Sequence, residues 1–448
     1  MKKILNKTLL AASATVLLFS CKPDVSVPAP AKGSLDVSNY VAIGTTIGSG
    51  YSDNALYYDA QMVTYPNLLA AQFKLVGGGD FKQPLVDATS VGIGSSQAAR
   101  LILGPATDCK GALSLAPVPV SATGDYTIFS RSVGTDGPFN NMSVPGAKAV
   151  TVLFQGYGNP ANGAGNFNPF FTRMAGNPDT ASILTEAAGQ NATFFSLSIG
   201  NDDVLGYALS GGVADVITPS AGPAGVGFDA SIDAIVGVLT ANGSKGVIGN
   251  VADITSMPYF TTVPYNGLAL DNANAETLTA AYSVLGITFH EGYNAFIIAD
   301  AAAPGSLRQI QQGELILLTV PQDSIKCGGW GSAKPIPNQY VLTLDEIAQI
   351  SAATTAYNAK LQSVAQAKGL AYVDVNGFMS SLKAGIVYNG LSVNTQFVSG
   401  GAFSLDGVNL TARGNALLAN EFIKSINGKY GSSIPQINAA GYKGVVFP

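Results

Sequence analysis

The chain has 448 residues, of which 11% are charged, well below the roughly 25% of an ordinary soluble domain. With 47% hydrophobic residues there is ample apolar material for a large core, so the low charge does not signal disorder. Acidic residues (28) outnumber basic ones (23), which argues against a nucleic-acid partner, and the single His290 is the one imidazole available to any Ser-His-Asp chemistry.

In chain order, Lys2, Lys3 and Lys7 precede a short apolar run from Leu9 to Phe19, too short for a membrane span and suited to a signal segment over residues 1–20. Leu18-Phe19-Ser20-Cys21 resembles a bacterial lipoprotein cleavage box. The resemblance implies cleavage before Cys21, acylation of that residue, and a membrane partner reached through the lipid. It also implies a place in the bacterial cell envelope, at the outer membrane, facing the periplasm or the surface. A plain secretory signal with a free Cys21 is the alternative. Residues 22–38 carry three prolines and no periodicity, so residues 21–38 read as the lipidated Cys and a flexible tether. Residues 39–448 form the folded domain.

Tyr40–Gly44 is a short apolar run ending in glycine, the pattern of a buried strand. Phe194–Ile199, Gly246–Val251, Glu314–Val320 and Leu370–Val375 have the same texture. Between the last two lies a clear helix. Thr343-x-x-Glu346 is a capping box, Ile347, Ile350, Tyr357, Leu361 and Val364 share one face, and Gly369 marks the stop. Strand, long helix, strand is a βαβ unit and favours a parallel sheet. A last helix is expected from about Thr411 to Ile426, ending near Gly428. The stretches near 76–180 and 205–300 are rich in Gly, Ala, Asn, Pro and Thr; they read as long insertions building loops or a cap, with a small separate β domain within 76–190 as the alternative. Cys109 and Cys327 can pair in an oxidising exterior, but sequence leaves their distance open. With one isolated His they make no structural zinc site.

Four short segments carry the functional signal. VAIGTTIGSGY (41–51) resembles the first block of the SGNH (GDSL-type) hydrolases, in which a strand ends in Gly-Asp-Ser-Leu and the serine opens the next helix. NMSVPGAK (141–148) resembles the second, whose glycine N–H helps bind the oxyanion. FFSLSIGNDDVLGY (194–207) resembles the third, Gly-x-Asn-Asp after a strand. SLDGVNLTARGN (404–415) resembles the fifth, Asp-x-x-His before the final helix. The closest texture is that of Bacteroidetes-type lipoprotein members. The resemblance implies an α/β fold, a three-layer α/β/α sandwich with a flavodoxin-like parallel sheet, here carrying long insertions. It implies ester hydrolysis, including of lipids and acylated glycans, without cofactor or metal.

Carried over residue by residue, the nucleophile position is Thr46 and the orienting acid is Asp406. The base position is Asn409, and the oxyanion positions are Thr46, Gly146 and Asp202, or Asn201 if the loop is shifted by one. Threonine attacks only when an adjacent base activates it. Asparagine cannot accept and return a proton. A carboxylate at 202 opposes developing negative charge. The expectation is therefore an envelope lipoprotein that is catalytically impaired or inactive and binds a glycan or acyl-ester ligand. Two alternatives stand beside it: an active carboxylic-ester hydrolase using Thr46 with a non-standard base, and a structural lipoprotein with an envelope protein partner. His290 as a displaced base and an Asp202–Asp406 carboxylate pair are the two compensations the sequence offers. Tyr157, Phe167, Phe170, Phe171, Tyr259 and Phe260 line a pocket or fill the core.

Overall fold

A computed structural model describes residues 29–130 and 134–448; the signal segment and Cys21 lie outside the described residues. Five short strands form the central sheet: β1 (Tyr40–Gly44), β2 (Asn141–Ser143), β3 (Phe194–Ser198), β4 (Lys245–Gly249) and β5 (Ala371–Val373). All pair in parallel, in the spatial order β5-β4-β3-β1-β2. Ile43 lies in register with Met142 on one side and Leu197 on the other. β1 and β3 are buried at every position, as strands covered on both faces must be. The order is that of flavodoxin-type doubly wound sheets. In such sheets ligands bind outside the carboxyl ends of the strands, where the winding reverses, here between β1 and β3.

Six helices bear on the site and the core: α1 (Thr46–Ser49), α2 (Tyr65–Lys74), α3 (Asn201–Leu209), α4 (Phe228–Leu239), α5 (Leu344–Ala367) and α6 (Ala412–Tyr430). α2 and α6 meet through the stacked rings of Tyr65 and Phe422, 4.6 Å between centroids, while Phe194 of β3 touches the rings of Phe73 and Tyr430. α4 and α5 meet through stacked Phe228 and Tyr357 at 3.9 Å, and the Tyr357 hydroxyl donates to the Thr218 carbonyl. These side chains are fully or nearly buried, and each aromatic pair adds about 1 kcal/mol beyond its area term.

Several expectations need correction. Glu314–Val320 is not a strand of the central sheet. Its two-residue strand Leu315–Ile316 pairs antiparallel with Val341–Leu342, and Ile316 and Val320 belong to a second, smaller core with Phe296, Ile298, Ile310 and Ile336. A short apolar run between turns fits any buried strand, and the run carries nothing to choose its sheet. The long helix instead belongs to the crossover from β4 to β5. β2 was not expected, because Asn141-Met142-Ser143 has no apolar run. The final helix extends to Tyr430, closed by Gly431 at φ 65°. The region expected to be tether is partly docked: Leu35 and Val37 are buried, and Ser34 N–H donates to the Tyr430 carbonyl. Residues Leu101–Thr107 and Leu113–Pro119 form an antiparallel hairpin. Cys109, at its tip, is disulfide-bonded to Cys327, 218 residues away in sequence.

Candidate active site

Three of the four segments come together where the winding reverses. α1 starts directly after β1, α3 directly after β3, and the turn holding Gly146 comes after β2. Thr46 Oγ1 donates to Asp202 Oδ1 at 2.6 Å, and Thr46 N–H donates to Asp202 Oδ2 at 3.2 Å. Gly146 N–H donates to Thr46 Oγ1 at 2.9 Å. Gly146 has φ 74°, the left-handed backbone that presents this N–H and that a side chain would strain. Gly200, ahead of α3, is fixed more tightly: at φ 115° a Cβ would lie 2.4 Å from Val251 Cγ2.

Asp202, not Asn201, therefore faces the threonine. Asn201 Oδ1 accepts from Ala252 N–H at 3.1 Å and so ties α3 to the end of β4. Asp202 and Asp203 both sit in the first turn of α3, where the helix N-terminus favours negative charge. Burial works the other way and dominates. It raises the Asp202 carboxyl above the usual range, partly offset by the bonds from Thr46. It pushes Asp203 up to about 6, offset in part by Thr218 and the Ala149 N–H and reinforced by the charge of Asp202.

The fifth-block segment reaches the same end of the sheet through a hairpin. Asp53 and Asn54, both at positive φ, form the turn between Tyr51–Ser52 and Ala55–Leu56. Asp406 Oδ2 accepts from Asn54 N–H at 3.0 Å and from Asn409 Nδ2 at 2.9 Å, while Oδ1 accepts from the N–H groups of Val408 and Asn409 at 2.8 and 2.7 Å. Asp406 thus holds the Asn409 amide as an acid would hold an imidazole N–H. Asn409 and Ile47, the residue after Thr46, line one cavity of about 780 Å³.

His290 is elsewhere. It is exposed, its Nδ1 is bonded to the Glu291 carbonyl at 2.9 Å, and its N–H donates to Asn294 Oδ1. The hydroxyl of Thr46 and the two oxygens of Asp406 have the partners named above, and neither compensation suggested by sequence is among them. Of the six aromatics, Tyr157, Phe170, Phe171, Tyr259 and Phe260 are buried in the main core, and Phe167 is half-buried. Among the described residues, no group of three or more His, Cys, Asp and Glu side chains is placed to hold a metal.

No family model and no curated protein matches the chain. Among solved structures it is similar to an extracellular lipase from Streptomyces rimosus at 12% identity and a TM-score of 0.35, over 87% of this chain and 99% of that one.

Residues that sequence reasoning missed surround the cavity. Asp53 accepts the Tyr57 hydroxyl at Oδ2 (2.6 Å) and the Leu405 N–H at Oδ1 (2.9 Å), and the Arg100 guanidinium lies over the Tyr57 ring, 5.1 Å from its centroid. The Asp-Asn turn between short strands was a readable signal for the hairpin. Nothing local marks Arg100, which reaches the site from the other end of a long connection.

Proposed function

We propose that the chain is a lipid-anchored envelope protein with the three-layer SGNH-hydrolase architecture and its long insertions. In this reading it no longer hydrolyses esters, and its cavity serves to bind an acylated or glycan ligand. One observation carries the reading: the Asp202 carboxylate takes both hydrogen-bond donors of Thr46. In an ester hydrolase of this geometry the Thr46 and Gly146 N–H groups and the side chain at 202 would stabilise an oxyanion. Here the first donates to Asp202, the second to Thr46 Oγ1, and the third is a carboxyl whose two oxygens both accept from Thr46. A carboxylate at the place where negative charge must develop raises the barrier instead of lowering it. Asn409, in the place of a base, has no proton to exchange.

A second reading has its own observation. The Thr46 hydroxyl already donates to Asp202 at 2.6 Å, and a buried carboxylate with raised proton affinity is suited to be a general base. It leaves the oxyanion without donors, so it ranks second.

Turnover of short-chain aryl esters separates the two. The inert reading expects no hydrolysis above that of Thr46→Ala, and none in Asp202→Asn alone. It expects a gain of about 10²-fold or more only when Thr46→Ser, Asp202→Asn and Asn409→His are combined. Wild-type turnover abolished by both Thr46→Ala and Asp202→Asn overturns it in favour of the aspartate base.

A further inference from the structure

The cavity beside Asn409 is mixed in character. Ile47, Tyr57, Leu103 and Leu405 give it apolar wall, and Arg100 and Lys443 put two cations on its lining, against the acids Asp53 and Asp59. Arg100 is the unusual member. It is half-buried, and among the described residues its guanidinium makes a ring contact with Tyr57 and feels the charge of Asp53 but donates no hydrogen bond and forms no ion pair. Asp53 instead accepts from the Tyr57 hydroxyl and the Leu405 N–H, one bond to each oxygen. A guanidinium offers five N–H donors in a planar fork that matches an oxyanion two bonds at a time. The contact with the Tyr57 ring, 5.1 Å from its centroid, holds the guanidinium at the cavity lining.

We infer that this cavity binds an amphiphile with an oxyanion head, the head held by Arg100 and the hydrocarbon laid along Ile47, Leu103 and Leu405. Largely apolar walls with a few placed polar groups are the usual make-up of a small-ligand site. This rests on the reading of the cavity as a binding site and adds the charge of what it takes. Asp59 is exposed at the same lining and sets a counter-charge that a cationic ligand would favour; of the two half-buried charges, Asp53 already accepts at both oxygens, and Arg100 is the one whose donors are open to a ligand.

The test is calorimetric titration of the purified protein with decanoate, decyl sulfate and neutral decanol, below their micellar concentrations. Wild type is expected to bind one decanoate or decyl sulfate per chain, at least about tenfold more tightly than decanol. In Arg100→Gln that preference disappears, and in Arg100→Lys, which keeps the charge but not the fork, part of it survives. Thermal melting of both variants, compared with wild type, shows that the loss is not unfolding; a destabilised Arg100→Gln leaves Arg100→Lys to decide. Equal affinity for decanol and decanoate, an unchanged preference in Arg100→Gln, or no binding of any of the three overturns the inference. Ester turnover that vanishes in Thr46→Ala would remove the inert reading while leaving the Arg100 preference to stand or fall by itself.

Discussion

At the scale of single residues, the two aspartates opening α3 divide the labour. Asp202 faces Thr46, while Asp203 faces the chain after β2, both of its oxygens lying near 3 Å from the Ala149 N–H. Because burial pushes Asp203 up to about 6 from its ordinary 3.8, the folded chain keeps a proton that the unfolded chain has released between those values. The folded state then binds more protons than the unfolded one, so this contribution to stability is full below about pH 4, falls as pH rises toward 6, and stays lost above. Asp203→Asn removes that dependence. Relative to the variant, wild type is expected to lose up to about 3 kcal/mol between pH 4 and pH 7, read from urea unfolding at the two values. Asp202 remains in both proteins but loses the neighbouring charge in the variant, so the difference reports the coupled pair; a gap between the two proteins that does not change with pH would contradict the assignment. Thr46 and Asp202 were legible from sequence because each comes just after an apolar strand run, whereas Gly146 follows the unexpected β2 and was singled out only by the resemblance of its segment. Arg100 was not, because its role depends on a cavity formed by four separate stretches of chain.

At the scale of elements, legibility tracked local chemistry. α5 begins where Thr343 and Glu346 form a capping box, with Thr343 N–H donating to Glu346 Oε2 at 2.7 Å, and Ile350, Tyr357, Leu361 and Val364 are buried as their spacing required. What sequence misjudged was the partner of that helix, since choosing between Glu314–Val320 and β4 as the preceding strand needs knowledge of which sheet each run enters. β2 escaped for a related reason: its three residues are held by pairing with β1 and by the bond from Asn141 Nδ2 to the Gly48 carbonyl, not by any propensity of their own. The cap on α5 gives a direct check. Thr343→Ala takes the acceptor from the Glu346 N–H and should lower stability by about 1 kcal/mol, with Thr343→Ser recovering most of it. A urea midpoint unmoved by Thr343→Ala would mean that packing of Tyr357 and Leu361 alone decides where this helix starts.

At the scale of the molecule, sequence left the distance between Cys109 and Cys327 open, and the bond between them spans 218 residues of the chain. Residues 109 to 327 include β2, β3 and β4, and with them α3 and α4, so the disulfide closes a loop around three of the five central strands. Closing so long a loop restricts the unfolded chain far more than the folded one, worth about 2–5 kcal/mol even when part of the ideal entropy gain is lost. Other ties at this point are weak. Cys109 N–H donates to Asp323 at 3.1 Å, and Lys326 pairs with Asp108 at 3.3 Å with the lysine half exposed, a pair that solvent screens. The tip of the 101–119 hairpin is therefore held mainly by the covalent bond. Its first strand begins next to Arg100, so the bond also steadies one wall of the cavity. Reduction with dithiothreitol, or the pair Cys109→Ser and Cys327→Ser, should lower global stability by about 2–5 kcal/mol in urea and weaken decanoate capture at the same time. If the midpoint stays put while decanoate binding drops, the bond serves the cavity wall alone; if neither changes, the hairpin is anchored by its side chains and the entropic argument fails for this chain.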